Sequence, residues 1–123
     1  MSGWTRDDLE AFGAAEEVLV SATDDGGPRP EVPIWVVRVG DDLYVRSYRG
    51  RSGRWYQHLA RSHQGRIRVA GLERDVTGED PGVDVNPDID AAYAQKYARH
   101  GDAYIAAMTA PEVVSTTLRL TPR

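Results

Sequence analysis

The sequence predicts a mainly β domain, a small antiparallel barrel of six strands with three or four short helices around it. Two observations lead to this prediction. Apolar and polar residues alternate in several short runs, which glycine-containing turns separate. The connections between the runs are too short for repeated strand–helix–strand units, so a doubly wound parallel sheet is excluded. A chain of 123 residues can build one hydrophobic core, and we therefore expect a single domain over residues 1–123.

One helix and one strand are predicted before the first strong turn. Thr5 is a candidate N-cap, because acidic residues follow it in the first turn of a helix that runs to about Ala15. A run rich in β-branched residues covers 17–23 and ends at the turn-forming residues 24–28.

The clearest hairpin joins a strand over residues 33–39 to a strand over residues 43–48 through a short glycine-containing loop. Side chains alternate in the second strand, so one face is predicted to be apolar and the other to carry phenols and a guanidinium. The predicted apolar face holds Leu43, Val45 and Ser47, and the polar face holds Tyr44, Arg46 and Tyr48.

The second half of the chain is predicted to alternate loops, strands and short helices. Asn86 and Pro87 form the strongest helix start, with an N-cap candidate followed by proline at the first helical position. The predicted elements are a glycine and arginine loop over 49–53, helices over 54–61, 86 to about 100 and 103–108, and strands over 65–71, 72–77 and 113–120.

An arginine cluster stands out in this acidic chain. The segment from Leu43 to Leu72 contains seven arginines and no acidic residue, although the net charge of the protein is -4. Like charges held close together repel, so the cluster indicates either a bound anion or carboxylate partners from the acidic segment between Glu73 and Asp90. The seven arginines are Arg46, Arg49, Arg51, Arg54, Arg61, Arg66 and Arg68.

The start of this cluster is a candidate phosphate site. Serines, glycines and the start of a helix near Arg54 place free backbone N–H groups beside several guanidiniums, which suits a dianion. The segment lacks the lysine and spacing of a P-loop. The candidate residues are Arg46, Ser47, Arg49, Arg51, Ser52, Gly53, Arg54 and Trp55.

Aromatic residues flank the arginines and indicate a phosphorylated flat ring, such as a flavin or another nucleotide. Two alternatives stay open. Arginines interleaved with aromatics are also typical of single-stranded nucleic-acid binders, although the pI of about 5.3 argues against nucleic acid. The arginine loop could instead meet acidic residues of a partner copy in a cofactor-free dimer.

Several classes of site are excluded or unsupported. The chain has no cysteine, which excludes disulfides and thiol nucleophiles and fits a cytoplasmic protein. No apolar run approaches the ~20 residues of a membrane span, and no secretory leader precedes the first predicted helix. The three histidines lack a metal-ligand spacing, and no nucleophile–base arrangement is evident, so catalytic residues are not assigned.

The chain resembles an uncharacterised bacterial family of the flavin-binding split-barrel superfamily, whose better-known relatives are the pyridoxamine phosphate oxidases and the deazaflavin-dependent nitroreductases. The resemblance covers most of the chain. It lies in residues 34–47, 50–56, 65–69, 91–97 and 116–123.

The resemblance implies a six-stranded antiparallel split barrel, a homodimer, and an FMN or deazaflavin cofactor in a surface groove. It also implies a small oxidoreductase whose cofactor phosphate lies against the middle hairpin strand and the following helix start. The positions that match are Arg46, Ser47, Arg51, Ser52 and Arg54, and Trp55 lies where deazaflavin relatives have a tryptophan.

Overall fold

The computed structural model of the protein describes residues 3–123, which contain eight strands and five α-helices. The strands are β1 (Val18–Asp24), β2 (Gly27–Pro28), β3 (Val32–Ile34), β4 (Val37–Val39), β5 (Asp42–Val45), β6 (Gln64–Val69), β7 (Leu72–Glu79) and β8 (Leu118–Pro122). The helices are α1 (Arg6–Ala14), α2 (Arg54–Ser62), α3 (Asn86–Lys96), α4 (Asp102–Met108) and α5 (Pro111–Val114). None of the helices in this range has the length and apolarity needed to cross a membrane.

The strands form one antiparallel sheet in the order β2-β1-β6-β7-β8-β5-β4, and β3 pairs with β1. The predicted mainly β class and the split-barrel architecture are confirmed. Seven of the eight strands account for the six that were predicted, because β3 and β4 together form one interrupted strand, and the two-residue β2 was not predicted.

The segment that was predicted as one strand is interrupted between β3 and β4. The first part of this segment pairs with β1 and the last part pairs with β5, whereas Trp35 and Val36 lie outside both strands. Side chains at the end of α3 and directly after it replace the missing ladder bonds at Val36, whose N–H donates to Tyr97 Oη over 3.1 Å. Its carbonyl accepts from Lys96 Nζ over 2.7 Å. A continuous strand over 33–39 was therefore a wrong prediction, because helix side chains satisfy the backbone there.

Two apolar clusters lie on opposite sides of the β4–β5 hairpin. One fills the inside of the sheet against α1 and α2, and the other packs α3, α4 and α5 onto the outer side. The predicted alternation is present, since Leu43 and Val45 belong to the first cluster and Tyr44 to the second, but the second face is covered rather than open. Tyr44 is 3% and Arg46 is 1% exposed because α3 covers them, while Tyr48 lies beyond the strand end and is exposed.

The predicted strand over 113–120 is replaced by α5 followed by β8. Pro111 starts α5, and the hydroxyls of Thr116 and Thr117 donate back to the carbonyls of Val113 and Val114. These local bonds hold the backbone in a turn, so the strand begins only at residue 118. Helix α3 also ends earlier than predicted, at Lys96, and a one-turn 3-10 helix covers Ala98–His100.

Candidate functional site

A cavity of about 660 Å³ lies where the end of β5, the start of α2, the β3 segment and α4 meet. Its size falls within the range of small-molecule and cofactor sites, which is about 300–1,000 Å³. Its walls are formed by Glu17, Val32, Pro33, Ile34, Trp35, Arg46, Ser47, Tyr48, Arg49, Ser52, Gly53, Arg54, Trp55, Tyr104 and Met108.

Seven of the eight predicted site residues line this cavity, and the eighth does not. Arg51 lies outside it with an exposed side chain, and its carbonyl accepts a hydrogen bond from the side chain of Gln57 over 2.8 Å. The residues that line the cavity are Arg46, Ser47, Arg49, Ser52, Gly53, Arg54 and Trp55.

One end of the cavity presents a buried hydroxyl to the start of a helix. Ser47 is 1% exposed, and its Oγ has no hydrogen-bond partner among the described residues. Its backbone is held in place, because its N–H donates to Thr116 Oγ1 over 2.9 Å and its carbonyl accepts from the N–H of Gly50 over 2.8 Å. The orphaned hydroxyl therefore has a defined position at the cavity wall.

Gly53 is the residue that lets this hydroxyl approach the helix. A Cβ on Gly53 would lie 2.3 Å from Ser47 Oγ, well inside any allowed contact. Gly53 is also the N-cap of α2 and supplies no side-chain cap, so the N–H groups of the first turn have no intrahelical partner. Together these features make a concave group of hydrogen-bond donors.

Helix α2 is anchored beneath the site by one side chain. Leu59 is fully buried against β6 and β7, where two glycines leave room for it. A Cβ on Gly78 would lie 2.9 Å from Leu59 Cγ, and a Cβ on Gly65 would lie 3.2 Å from Leu59 Cδ1. The position of the helix start thus depends on how Leu59 packs.

Arg46 lies at the wall of the cavity, yet its guanidinium is bound inside the protein. The side chain is fully buried, and its ion pair with Asp90 joins Nη1 to Oδ1 over 2.6 Å. Nε donates to Thr117 Oγ1 over 2.9 Å, Nη1 also donates to the Met108 carbonyl over 3.0 Å, and Nη2 faces Asn86 Oδ1 at 3.5 Å. This buried set of partners connects β5 with α3, α4 and the turn before β8.

The ring of Tyr93 covers the same guanidinium, with the Arg46 Cζ atom 5.4 Å from the ring centroid. Tyr93 is fully buried, and burial raises the pKa of its phenol above the ordinary value. The phenol therefore stays neutral, and the contact is that of a cation on an aromatic face.

The arginine cluster divides into paired and unpaired members. Arg66 pairs with Asp75 at 2.9 Å, and Arg68 pairs with Glu31 at 2.7 Å, where its hydrogen bond holds the pKa of the Glu31 carboxyl below its ordinary value. The pairs of Arg46 with Asp90 and of Arg66 with Asp75 match the predicted carboxylate partners, whereas Glu31 lies outside the predicted acidic segment. Within residues 3–123, no carboxylate oxygen lies within 4.0 Å of the guanidiniums of Arg49, Arg51, Arg54 and Arg61.

Aromatic side chains also line the cavity. Trp35 stacks on Tyr97 with ring centroids 3.9 Å apart and planes 1° from parallel. Tyr104 lies 6.1 Å from Trp35, and Tyr48 lies 6.2 Å from Tyr104. Tyr48 and Tyr104 are 58% and 49% exposed, whereas the other aromatic side chains are buried or half-buried. A flat ring entering the cavity would find aromatic surfaces here.

Sequence reasoning missed Tyr104 and Met108 as cavity residues. Both belong to α4, more than fifty positions after the arginine loop. Packing of α4 against α3 and α5 brings them to the cavity, and no motif in the sequence marks that contact. In the part of the chain that the structure describes, no group of three histidine or acidic side chains could hold a metal ion.

Solved structures with the same fold come from three bacteria. HutZ, the heme storage protein from Vibrio cholerae, is similar with a TM-score of 0.64 and 14% identity, over 96% of this chain and 89% of that chain. The FAD and heme binding protein from Mycobacterium smegmatis is similar with a TM-score of 0.59 and 22% identity, over 94% of this chain and 64% of that chain. An FAD-binding protein from Mesorhizobium loti is similar with a TM-score of 0.60 and 16% identity, over 95% of this chain and 86% of that chain.

These structures confirm the resemblance to the flavin-binding split-barrel proteins at the level of the fold. Among curated proteins, no sequence matches the chain. A family model does match, and it covers residues 8–120. Because the match spans most of its length, the chain belongs to the bacterial family DUF2255, which is described as an uncharacterized protein conserved in bacteria.

Proposed function

We propose that this protein binds a phosphorylated flavin-type cofactor, FMN or a deazaflavin cofactor, and acts as a small oxidoreductase in the cytoplasm. The observation that carries the proposal is the buried Ser47 hydroxyl, which has no partner among the described residues and faces the uncapped start of α2. A buried polar atom without a hydrogen bond destabilises the folded protein. The presence of the Ser47 hydroxyl at this position therefore indicates a ligand that forms the missing hydrogen bond.

The residues at this end fit a phosphate group. A phosphate oxygen could accept from the Ser47 hydroxyl and from first-turn N–H groups, whose partial positive charge favours an anion. Arg49 and Arg54 line the same cavity with no carboxylate within 4.0 Å in residues 3–123, so their charges are available to the ligand. Ser52 and Trp55 complete this wall, and Arg51 would act only through the long-range field.

The aromatic residues of the cavity fit a flat ring. Trp35, Tyr48 and Tyr104 border the same cavity as Ser47, Arg49 and Arg54, which suits a ligand with one charged and one planar aromatic part. Two of the structures with this fold are named as FAD-binding, which supports a flavin in the same kind of groove.

The cofactor would supply hydride transfer, and the chain would bind, orient and shield it. Ser47, Arg49 and Arg54 would hold the phosphate, whereas the aromatic residues would orient the ring and exclude water. Arg46 would act as a positioning residue, because its donors are already bound to Asp90, Thr117 and Met108. As in similar split barrels, we propose that the protein is a homodimer.

A second candidate is a cofactor-free interaction domain. The exposure of Tyr48 and Tyr104 favours it, because neighbouring exposed aromatic rings are typical of contact surfaces.

A titration distinguishes the two candidates. Purified protein is titrated with FMN, with the deazaflavin cofactor and with riboflavin, and the change in ligand fluorescence is followed. We expect micromolar or tighter binding of FMN or the deazaflavin cofactor, and clearly weaker binding of riboflavin, which lacks the phosphate. Absence of binding in a folded sample would refute the cofactor proposal and leave the interaction domain.

Replacing Arg54 by glutamine is expected to weaken FMN binding by about tenfold to a hundredfold, which corresponds to ~1.5–3 kcal/mol for a charge-assisted hydrogen bond. Riboflavin binding should stay within about twofold of wild type, since the lost contact is to the phosphate. Arg51→Gln is the matched control, because Arg51 is equally exposed but lies outside the cavity. Equal losses with both ligands would show that Arg54 does not contact the phosphate.

Ser47→Ala and Gly53→Ala are expected to weaken FMN binding by similar factors, each about tenfold or more. The first removes the hydroxyl, and the second forces it out of position because the new Cβ would lie 2.3 Å from it. Both changes act on one atom, so the double variant should bind FMN about as well as either single variant. Fluorescence titration of the four proteins measures the coupling, and additive losses would contradict the shared hydroxyl.

A further inference from the structure

A second cavity, of about 280 Å³, lies between α1, β4 and α3. It contains Lys96, the single lysine of the chain. The residues that line it are Gly13, Val37, Arg38, Ala92, Gln95 and Lys96. None of these residues belongs to the site described above.

The environment of the Lys96 amine is unusual for a lysine. Nζ donates to the Val36 carbonyl over 2.7 Å and lies 5.1 Å from the centroid of the Tyr97 ring. In the described part of the chain, no carboxylate oxygen lies within 4.0 Å of it. The carbonyl and the aromatic ring favour the ammonium, whereas burial without a paired carboxylate disfavours it.

The charges around the amine have opposite effects. Burial lowers the pKa of Lys96 to about 8, Glu16 opposes this change, and Arg99 adds to it. Arg38 is a further cation at the cavity wall. A substantial fraction of the amine is therefore neutral near pH 8, and a neutral amine is a nucleophile.

We propose that Lys96 is a site of covalent acylation by small activated acyl donors, the chemical class that acyl phosphates represent. The amine nitrogen attacks the acyl carbon, a new C–N bond forms, and the C–O bond to phosphate breaks. The amine proton leaves with the phosphate, so the products are an N-acyl-lysine and hydrogen phosphate. No oxidant or reductant is needed.

The geometry suits both the attack and the product. A neutral amine can keep one N–H on the Val36 carbonyl while its lone pair faces the cavity. The amide of the product retains an N–H for the same bond, and the cavity can accommodate a small acyl group. Acylation removes the positive charge that lies near the Tyr97 ring, the ring on which Trp35 is stacked. This inference is independent of the proposed cofactor.

The test is the rate of acetylation by acetyl phosphate at pH 7.5, measured on the folded protein by mass spectrometry of the peptide that contains Lys96. We expect a rate about tenfold above that of N-acetyl-lysine amide, because a lowered pKa raises the neutral fraction more than it reduces the nucleophilicity. The rate should rise with pH to a midpoint near 8, and denaturation in urea should return it to the reference rate. A rate in the folded protein at or below the reference would overturn the proposal.

Two matched variants test the cavity itself. Gln95→Phe should slow acetylation of Lys96 severalfold, because Gln95 is exposed and borders the cavity. Ala91→Phe is the control, because Ala91 is exposed on the same helix but does not line the cavity. Equal rates in both variants, with unchanged circular dichroism, would also overturn the proposal.

Discussion

Replacing Arg46 by methionine is expected to lower the free energy of unfolding by about 3 kcal/mol, the lower end of the range for breaking a buried ion pair. The change removes a fully buried guanidinium and leaves Asp90, Thr117 Oγ1 and the Met108 carbonyl without their donor. The lower end applies because the Asp90 side chain is 39% exposed and can recover hydration. Urea denaturation followed by circular dichroism measures the difference.

The controls for Arg46 separate its charge pair from its packing. Arg51→Met should change the free energy of unfolding by less than about 0.5 kcal/mol, because that side chain is exposed and has no carboxylate partner in residues 3–123. Asp90→Ala should also be destabilising, and the double variant should lose less than the sum of the single losses. Additive losses would contradict the coupling between Arg46 and Asp90.

Replacing Leu59 by alanine is expected to lower the free energy of unfolding by about 2–5 kcal/mol, as other buried leucine truncations do. Leu59 is fully buried, and Gly65 and Gly78 approach it so closely that its side chain fills the space between α2 and the sheet. The truncation would also loosen the start of α2. We therefore expect FMN affinity to fall although residue 59 does not line the cavity.

Arg61→Ala is the control for Leu59, because Arg61 is exposed in the last turn of the same helix. It should leave the free energy of unfolding within about 0.5 kcal/mol of wild type. Leu59→Met should recover most of the stability, because it conserves volume. A full-sized loss in Leu59→Met would show that shape rather than volume decides the packing there.

Periodicity predicted the strands well where only one face of the sheet is covered. The β6–β7 hairpin lies where it was expected, with Ile67 buried and Arg66 exposed. The same alternation is present at residues 43–45, but the pattern did not show that α3 and α4 cover the second face of that hairpin. A strand buried on both sides can carry tyrosine and arginine inward, and alternation alone does not show that a helix will cover them.

Only those residues of the candidate site that are close together in sequence could be predicted. Ser47, Gly53 and Arg54 are close in sequence, and glycines beside serines and arginines before a helix indicate an anion site. The separation of Arg46 from the unpaired Arg49 and Arg54 depends on Asp90, which lies 44 positions away. The aromatic wall depends on α4 in the same way, so neither could be read from the loop.

The central position of β8 in the sheet bears on how the chain assembles. This strand lies between β7 and β5, and Trp4, near the other end of the chain, donates its indole N–H to the Leu120 carbonyl across 116 positions. Forming contacts between residues so far apart in sequence reduces the entropy of the chain before packing stabilises it. Folding is therefore expected to be slow relative to that of helical domains. Until residues 118–122 insert, the facing edges of β5 and β7 expose unpaired backbone groups, the kind of surface that promotes self-association in nascent chains.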